Sequence, residues 1–181
     1  MKSAFMITAL ALTTVMGYAQ APKAGFQVTL SSPQGDLADF VDDQVGFGIG
    51  GHLFFDLQGG HALVPRIDYI AYSNDDYDGE AKASTLSFGV DYNYFLERRA
   101  NRGLYVAAGA AITRGKIEYR DDYDAYYDYS YNDTALGFSI GGGYRFNSNI
   151  GVEVKYNTVS FSKYGYDVDA PSLNASFVCR F

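Results

Sequence analysis

The feature that most constrains this chain is a period-two alternation, repeated in segment after segment. Apolar side chains take one parity, and glycine, small polar or charged side chains take the other. The last ten residues, SLNASFVCRF, carry it plainly: Leu173, Ala175, Phe177, Cys179 and Phe181 against Ser172, Asn174, Ser176, Val178 and Arg180. Successive side chains of a strand point to opposite faces, so such a segment separates an apolar surrounding from a largely polar one.

Eight segments show the pattern: 24–31, 44–55, 62–72, 84–96, 103–115, 134–146, 149–162 and 171–181. The connections 32–43, 73–83 and 116–133 are long and 163–170 is intermediate, whereas 56–61, 97–102 and 147–148 are short. In an antiparallel meander this rhythm gathers the long loops at one end. Outer-membrane barrels have an even strand number, short periplasmic turns and long external loops, and a tilted strand crosses the bilayer in about 9–11 residues. A soluble sandwich alternates too, but does not need an apolar exterior on every strand. The expected fold is therefore all-β, an eight-stranded antiparallel up-and-down transmembrane barrel.

Parity assigns the faces. Val45, Phe47, Ile49, Leu53 and Phe55 oppose Gly46, Gly48, Gly50, His52 and Phe54. Leu136, Phe138, Ile140, Tyr144 and Phe146 oppose Gly137, Ser139, Gly141, Gly143 and Arg145. Ile150, Val152, Val154 and Tyr156 oppose Gly151, Glu153, Lys155 and Asn157. The apolar sets should meet lipid. Tyr69, Tyr92, Tyr94, Tyr144, Phe146 and Phe161 are expected in the interfacial girdles, in a chain without tryptophan. Pro65 lies inside the third segment, where a closed barrel offers no free edge, so a bulge is expected there.

Lys2, the apolar run Ala4–Met16 and Gly17-Tyr18-Ala19 have the order of a secretory signal, with cleavage expected after Ala19. Residues 1–19 are thus expected to be removed and residues 20–181 to form the barrel domain, integral to the outer membrane of a diderm bacterium with its termini in the periplasm. The lone Cys179 excludes an internal disulfide. Loss of Lys2 leaves 13 basic against 21 acidic residues, a balance of −8, which disfavours nucleic acid as a partner.

With RGLYVAAGAAI, FSIGGGYRFNSNIGVEVKY and the terminal FVCRF, the mature chain resembles the small eight-stranded outer-membrane barrels, the superfamily of the OmpA membrane domain, OmpX, OmpW and the opacity-type proteins. The resemblance implies outer-membrane lipid and lipopolysaccharide around the wall. It also implies the barrel-assembly machinery as a partner of the closing strand with Phe177 and Phe181. Members differ widely in activity, so it transfers none.

An eight-stranded barrel encloses a space that side chains can fill. Inward parity places His52, Arg66, Asp68, Asp91, Arg145, Glu153, Lys155 and Arg180 there. Opposite charges in so narrow a lumen should pair, which reads as a structural plug; the alternative is a gated ion path in which Asp91 and Glu153 exchange partners. A lipid-modifying enzyme would need a histidine activating a serine. Neither His52 nor His61 has a serine within two residues, so no catalytic residue is assigned.

The four longer connections hold 16 acidic residues against Lys82, Lys116, Arg120 and Lys163, and the rest of the mature chain holds 9 basic against 5 acidic. No cofactor is expected beyond Ca²⁺ or Mg²⁺ bound weakly between such a rim and lipopolysaccharide phosphates. Asn74, Asp76 and Asp78 space oxygen ligands as the start of an EF-hand loop does, but Thr85 stands where a bidentate Glu belongs, and turn-forming residues explain the same segment. Asp121, Asp122, Asp124, Tyr126, Tyr127 and Asp128 belong to the Asp/Tyr-rich stretch YRDDYDAYYDYSYND, which suits contact with an external glycan or protein or else a low-complexity cap over the barrel mouth. The expected function is non-enzymatic: envelope integrity or surface interaction, with a narrow ion or small-solute channel as the alternative and a lipid-modifying enzyme behind it.

Overall fold

The structure, a computed structural model, describes residues 21–76, 79–99, 102–121, 129–163 and 166–181. The expected signal peptide falls outside them. Nine strands and one helix follow in order: β1 (Lys23–Pro33), α1 (Asp36–Phe40), β2 (Gly46–Asp56), β3 (His61–Asp76), β4 (Gly79–Phe95), β5 (Gly103–Asp121), β6 (Tyr129–Arg145), β7 (Ile150–Lys163), β8 (Tyr166–Asp169) and β9 (Ser172–Arg180). Each strand from β1 to β7 pairs antiparallel with the next, β7 pairs with β9, and β9 returns to β1. That closes a barrel.

β8 and β9 occupy one wall position. Ser160↔Asp169 and Asn157↔Ser172 keep the same register on β7, and the ladder is interrupted only around Ala170-Pro171. Eight positions therefore make the wall, as the alternation predicts. Its outer surface is apolar: Phe47 is 71% exposed and Ile140 66%. Phe26, Phe88, Leu136, Phe138, Val154, Leu173 and Phe177 are exposed as well. A continuous apolar belt of this kind is stable in hydrocarbon, where a closed ladder pairs the backbone groups along the wall. Phe55, of outward parity, is instead buried at the terminal rim.

The segments with loop-like composition prove shorter as loops than the sequence indicates. β3 and β4 are joined across residues 77–78, and β5 and β6 extend to Asp121 and from Tyr129. Residues 163–170 are largely the β7–β8 hairpin, and 32–43 contains α1. Asp and Asn are poor strand formers and mask the strand preference of the tyrosines between them, but a neighbouring strand that already offers its edge extends the ladder regardless. Pro65 needs no bulge: β2 and β3 hold one register on either side of it, His52↔Arg66 and Phe55↔Leu63, and only the two intervening pairs drop out of the ladder.

At the terminal end the turns are tight. The Asn147 side chain accepts from the backbone N–H groups of Asn149 and Ile150 at 2.8 and 2.9 Å. Gly60, at φ 89°, lets its carbonyl receive the Phe95 N–H at 2.8 Å and so ties two short turns together. A Cβ at Gly60 would collide with the Phe95 carbonyl.

Candidate functional site

The inward parity builds the lumen in layers. At the terminal end, Phe54, Ala62, Val64, Phe95, Tyr105 and Ala107 pack as one buried cluster. At the loop end, Leu37 and Val41 fold inward from α1 and its C-cap onto Ile70, Tyr72, Ala83, Phe161 and Ala170. Phe161 is thus a lumen cap and not a girdle residue. Its odd number shares the parity of Glu153 and Lys155, and Gly115 clears the space for its ring. Above Gly137↔Val159 the β6–β7 ladder stops, while β7 continues to pair with β8. The β7–β8 hairpin and α1 together cover the mouth.

Between the two apolar layers lies the charged one. Arg66 gives Nε to Asp68 Oδ2 at 2.6 Å and Nη1 to Asp91 Oδ2 at 2.7 Å and Glu153 Oε1 at 3.1 Å. Lys155 Nζ reaches the same Asp91 oxygen at 2.6 Å and Glu153 Oε1 at 3.5 Å. Tyr105 donates to Glu153 Oε2 at 2.9 Å, Gln27 to Asp68 Oδ1 at 2.6 Å, and Ser139 to Asp91 Oδ1 at 3.3 Å. Five of the eight residues expected in the lumen therefore join in one network. Tyr105, Gln27 and Ser139 extend it; they carry the inward parity, but a search for charged groups passes over them.

Glycine makes this layer possible. In the ladders Arg66 faces Gly89, Asp68 faces Gly50, Asp91 faces Gly109, Lys155 faces Gly141 and Glu153 faces Gly143. A Cβ at Gly50 or Gly109 would strike the carboxylate oxygen of its partner. Asp68, Asp91 and Lys155 thus lie against the glycine beside them, while the Tyr105 ring fills the space over Gly143.

The remaining three lumen residues do not join. Arg145 gives Nη2 to the Ser148 carbonyl at 3.3 Å, and Arg180 stacks 3.6 Å above the Phe54 ring and points Nε at His52 Nε2, 3.4 Å away. Neither arginine forms an ion pair among the described residues, contrary to the expectation that every lumen charge is paired. His61 lies outside the lumen, its Nδ1 2.5 Å from Tyr92 Oη and its ring beside Tyr94. A chamber of about 70 Å³ sits on the charged layer, lined by Thr29, Ser87, Thr113 and Asn174 and by the apolar Ile70 and Val159. It has room for a handful of water molecules.

Of the loop residues singled out in the sequence, half-buried Asn74 pairs with Ala81 and Asp76 with Gly79 in the β3–β4 ladder, and Asp121 ends β5. Asp78, Asp122, Asp124, Tyr126, Tyr127 and Asp128 lie outside the described residues. Among the described residues, no three His, Cys, Asp or Glu side chains gather closely enough to hold a metal ion. At the C-terminus Phe177 faces outward, and Phe181 lies 6.3 Å from the Phe26 ring.

Similar architecture recurs in solved structures of low sequence identity. Ail, the attachment invasion locus protein of Yersinia pestis, solved with the heparin analogue sucrose octasulfate, is 12% identical at a TM-score of 0.60, over 88% of this chain and 97% of that one. Neisserial surface protein A is 14% identical at a TM-score of 0.61, over 90% and 99%. The N-terminal β-barrel domain of Pseudomonas aeruginosa OprF is 13% identical at 0.57, again over 90% and 99%. Among curated proteins no sequence matches the chain. The family model for the outer membrane protein beta-barrel domain matches residues 5–181. With its closed wall and lipid-facing exterior, the chain belongs to the outer membrane protein beta-barrel family and is an integral protein of the Gram-negative outer membrane.

Proposed function

We propose that this barrel is a sealed, non-enzymatic scaffold, oriented with its termini in the periplasm, that presents acidic, tyrosine-rich loops for surface interaction. The observation that carries the reading is the lumen. An apolar cluster lies at each end of a layer of five interlocked charged residues, so the interior is built as a core. A barrel filled in this way leaves its loops as the surface free to vary.

The charge of those loops narrows the partner. Ail was solved with a polysulfated ligand, but here the four longer connections carry 16 acidic residues against four basic ones, which repels a polyanion. A protein or glycan surface that is cationic or neutral suits them, with tyrosines stacking on sugar rings or apolar side chains. Ca²⁺ or Mg²⁺ would join the acidic rim to lipopolysaccharide phosphates and make retention sensitive to chelators.

The test is adhesion of cells that display the barrel to immobilised glycans and proteins. Cells with Tyr126→Ser, Tyr127→Ser and Asp128→Asn together should lose adhesion while the barrel keeps its heat-modifiable mobility, and neither form should bind heparin. Undiminished adhesion by the loop variant would overturn the surface reading and leave envelope integrity. The chamber beside Asp91, Arg66 and Lys155 favours a narrow ion path as the second reading; steady single-channel openings would establish it.

A further inference from the structure

Among the described residues, the buried side-chain atoms without a hydrogen-bond partner all belong to three lumen residues of the terminal half: His52 Nδ1, Asn93 Oδ1, and Arg145 Nε and Nη1. Arg145 is 0% exposed, so its guanidinium has no access to solvent. Arg180 is 4% exposed, and the two arginines lie within electrostatic reach of one another. Both arginines stand at the terminal rim, where Arg145 pairs with Gly103 and Gly151 and Arg180 with Gly25.

Charge is unbalanced there. The lumen holds the cations Arg66, Lys155, Arg145 and Arg180 against the carboxylates Asp68, Asp91 and Glu153, and each of the three already accepts from Arg66. One positive charge is in excess, and the carboxylate within electrostatic reach of Arg145 and Arg180, Glu153, already serves Arg66 and Lys155. A buried charge with no partner costs several kcal/mol. Water would satisfy the two N–H groups but not the charge.

We propose that the terminal end of the lumen binds a small monovalent inorganic anion the size of chloride, held by Nε and Nη1 of Arg145 with Arg180 supplying the second positive charge. The neighbouring Phe54, Phe95 and Tyr105 rings are packed at centroid distances of 6.2 and 4.9 Å, which favours a monatomic ion over a bulky oxyanion. The ion completes the plug from below, and the barrel folds around it.

The experiment uses the full barrel refolded in detergent without halide. Its unfolding midpoint is followed by gel mobility or circular dichroism while gluconate is replaced by chloride or bromide at constant ionic strength. An ion that binds only the folded state raises the midpoint with the logarithm of its concentration. The midpoint should therefore climb with halide in the wild type and stay flat in Arg145→Met. Crystals grown in bromide should show an anomalous peak within hydrogen-bond distance of Arg145. Equal wild-type midpoints in gluconate and chloride, halide dependence retained in Arg145→Met, or bromide crystals without that peak would each overturn the proposal. If Arg145→Met fails to refold, the wild-type titration and the bromide peak decide between these outcomes.

Discussion

Asp91 accepts from Arg66 and Lys155 through one carboxylate oxygen, so changing it strips both cations at once. Asp91→Asn should lower the unfolding free energy by about 3–5 kcal/mol, measured by urea unfolding from lipid vesicles, because it leaves buried charge behind. Combining it with Lys155→Met should cost less than the two single changes added together; strict additivity would show that the pair is not coupled. Gly109→Ala should remove about 1–3 kcal/mol by pushing Asp91 aside. Gly51→Ala, where the nearest atom is 3.8 Å away, should stay within about 0.5 kcal/mol. Parity alone places all eight lumen residues on the inner face, since that requires only a period of two. Which of them touch depends on the stagger between strands, which no single segment encodes. That is why Arg145 and Arg180 read as paired in the sequence but are not.

At the scale of elements, the wall is legible in the sequence and the cap is not. Eight alternating segments identify the barrel positions, yet β3 to β6 run 16, 17, 19 and 17 residues, well past the length needed to cross a bilayer. Their outer parts are acidic and rich in turn-formers, and only pairing with a neighbour makes them strands. The cap depends on contacts between segments far apart in the chain, α1 with the β7–β8 hairpin, joined by the Asp169 N–H donating to Asp36 Oδ2 at 2.8 Å. Phe161→Ala should therefore loosen the cap without opening the charged layer. Hydrogen exchange should speed up at residues 37–41 and 166–170, while residues 64–68, 89–93 and 153–157 stay protected. Uniform acceleration would mean that cap and charged layer unfold as one unit.

For the whole molecule, the exterior and interior have exchanged their usual roles: the apolar surface is outside and the ionic network is inside. Ile140→Arg, on the exposed belt of β6, should cost about 2–4 kcal/mol in vesicles, as a cation on the lipid face of a barrel does. The central claim is that this outer-membrane barrel is sealed. Its most direct test is single-channel recording of the refolded protein in planar lipid bilayers. The account predicts a flat baseline with no steady openings, because the charged layer lies between two apolar clusters. Steady, ion-selective openings whose conductance changes on Asp91→Asn or Lys155→Met would contradict it and make the lumen a pathway.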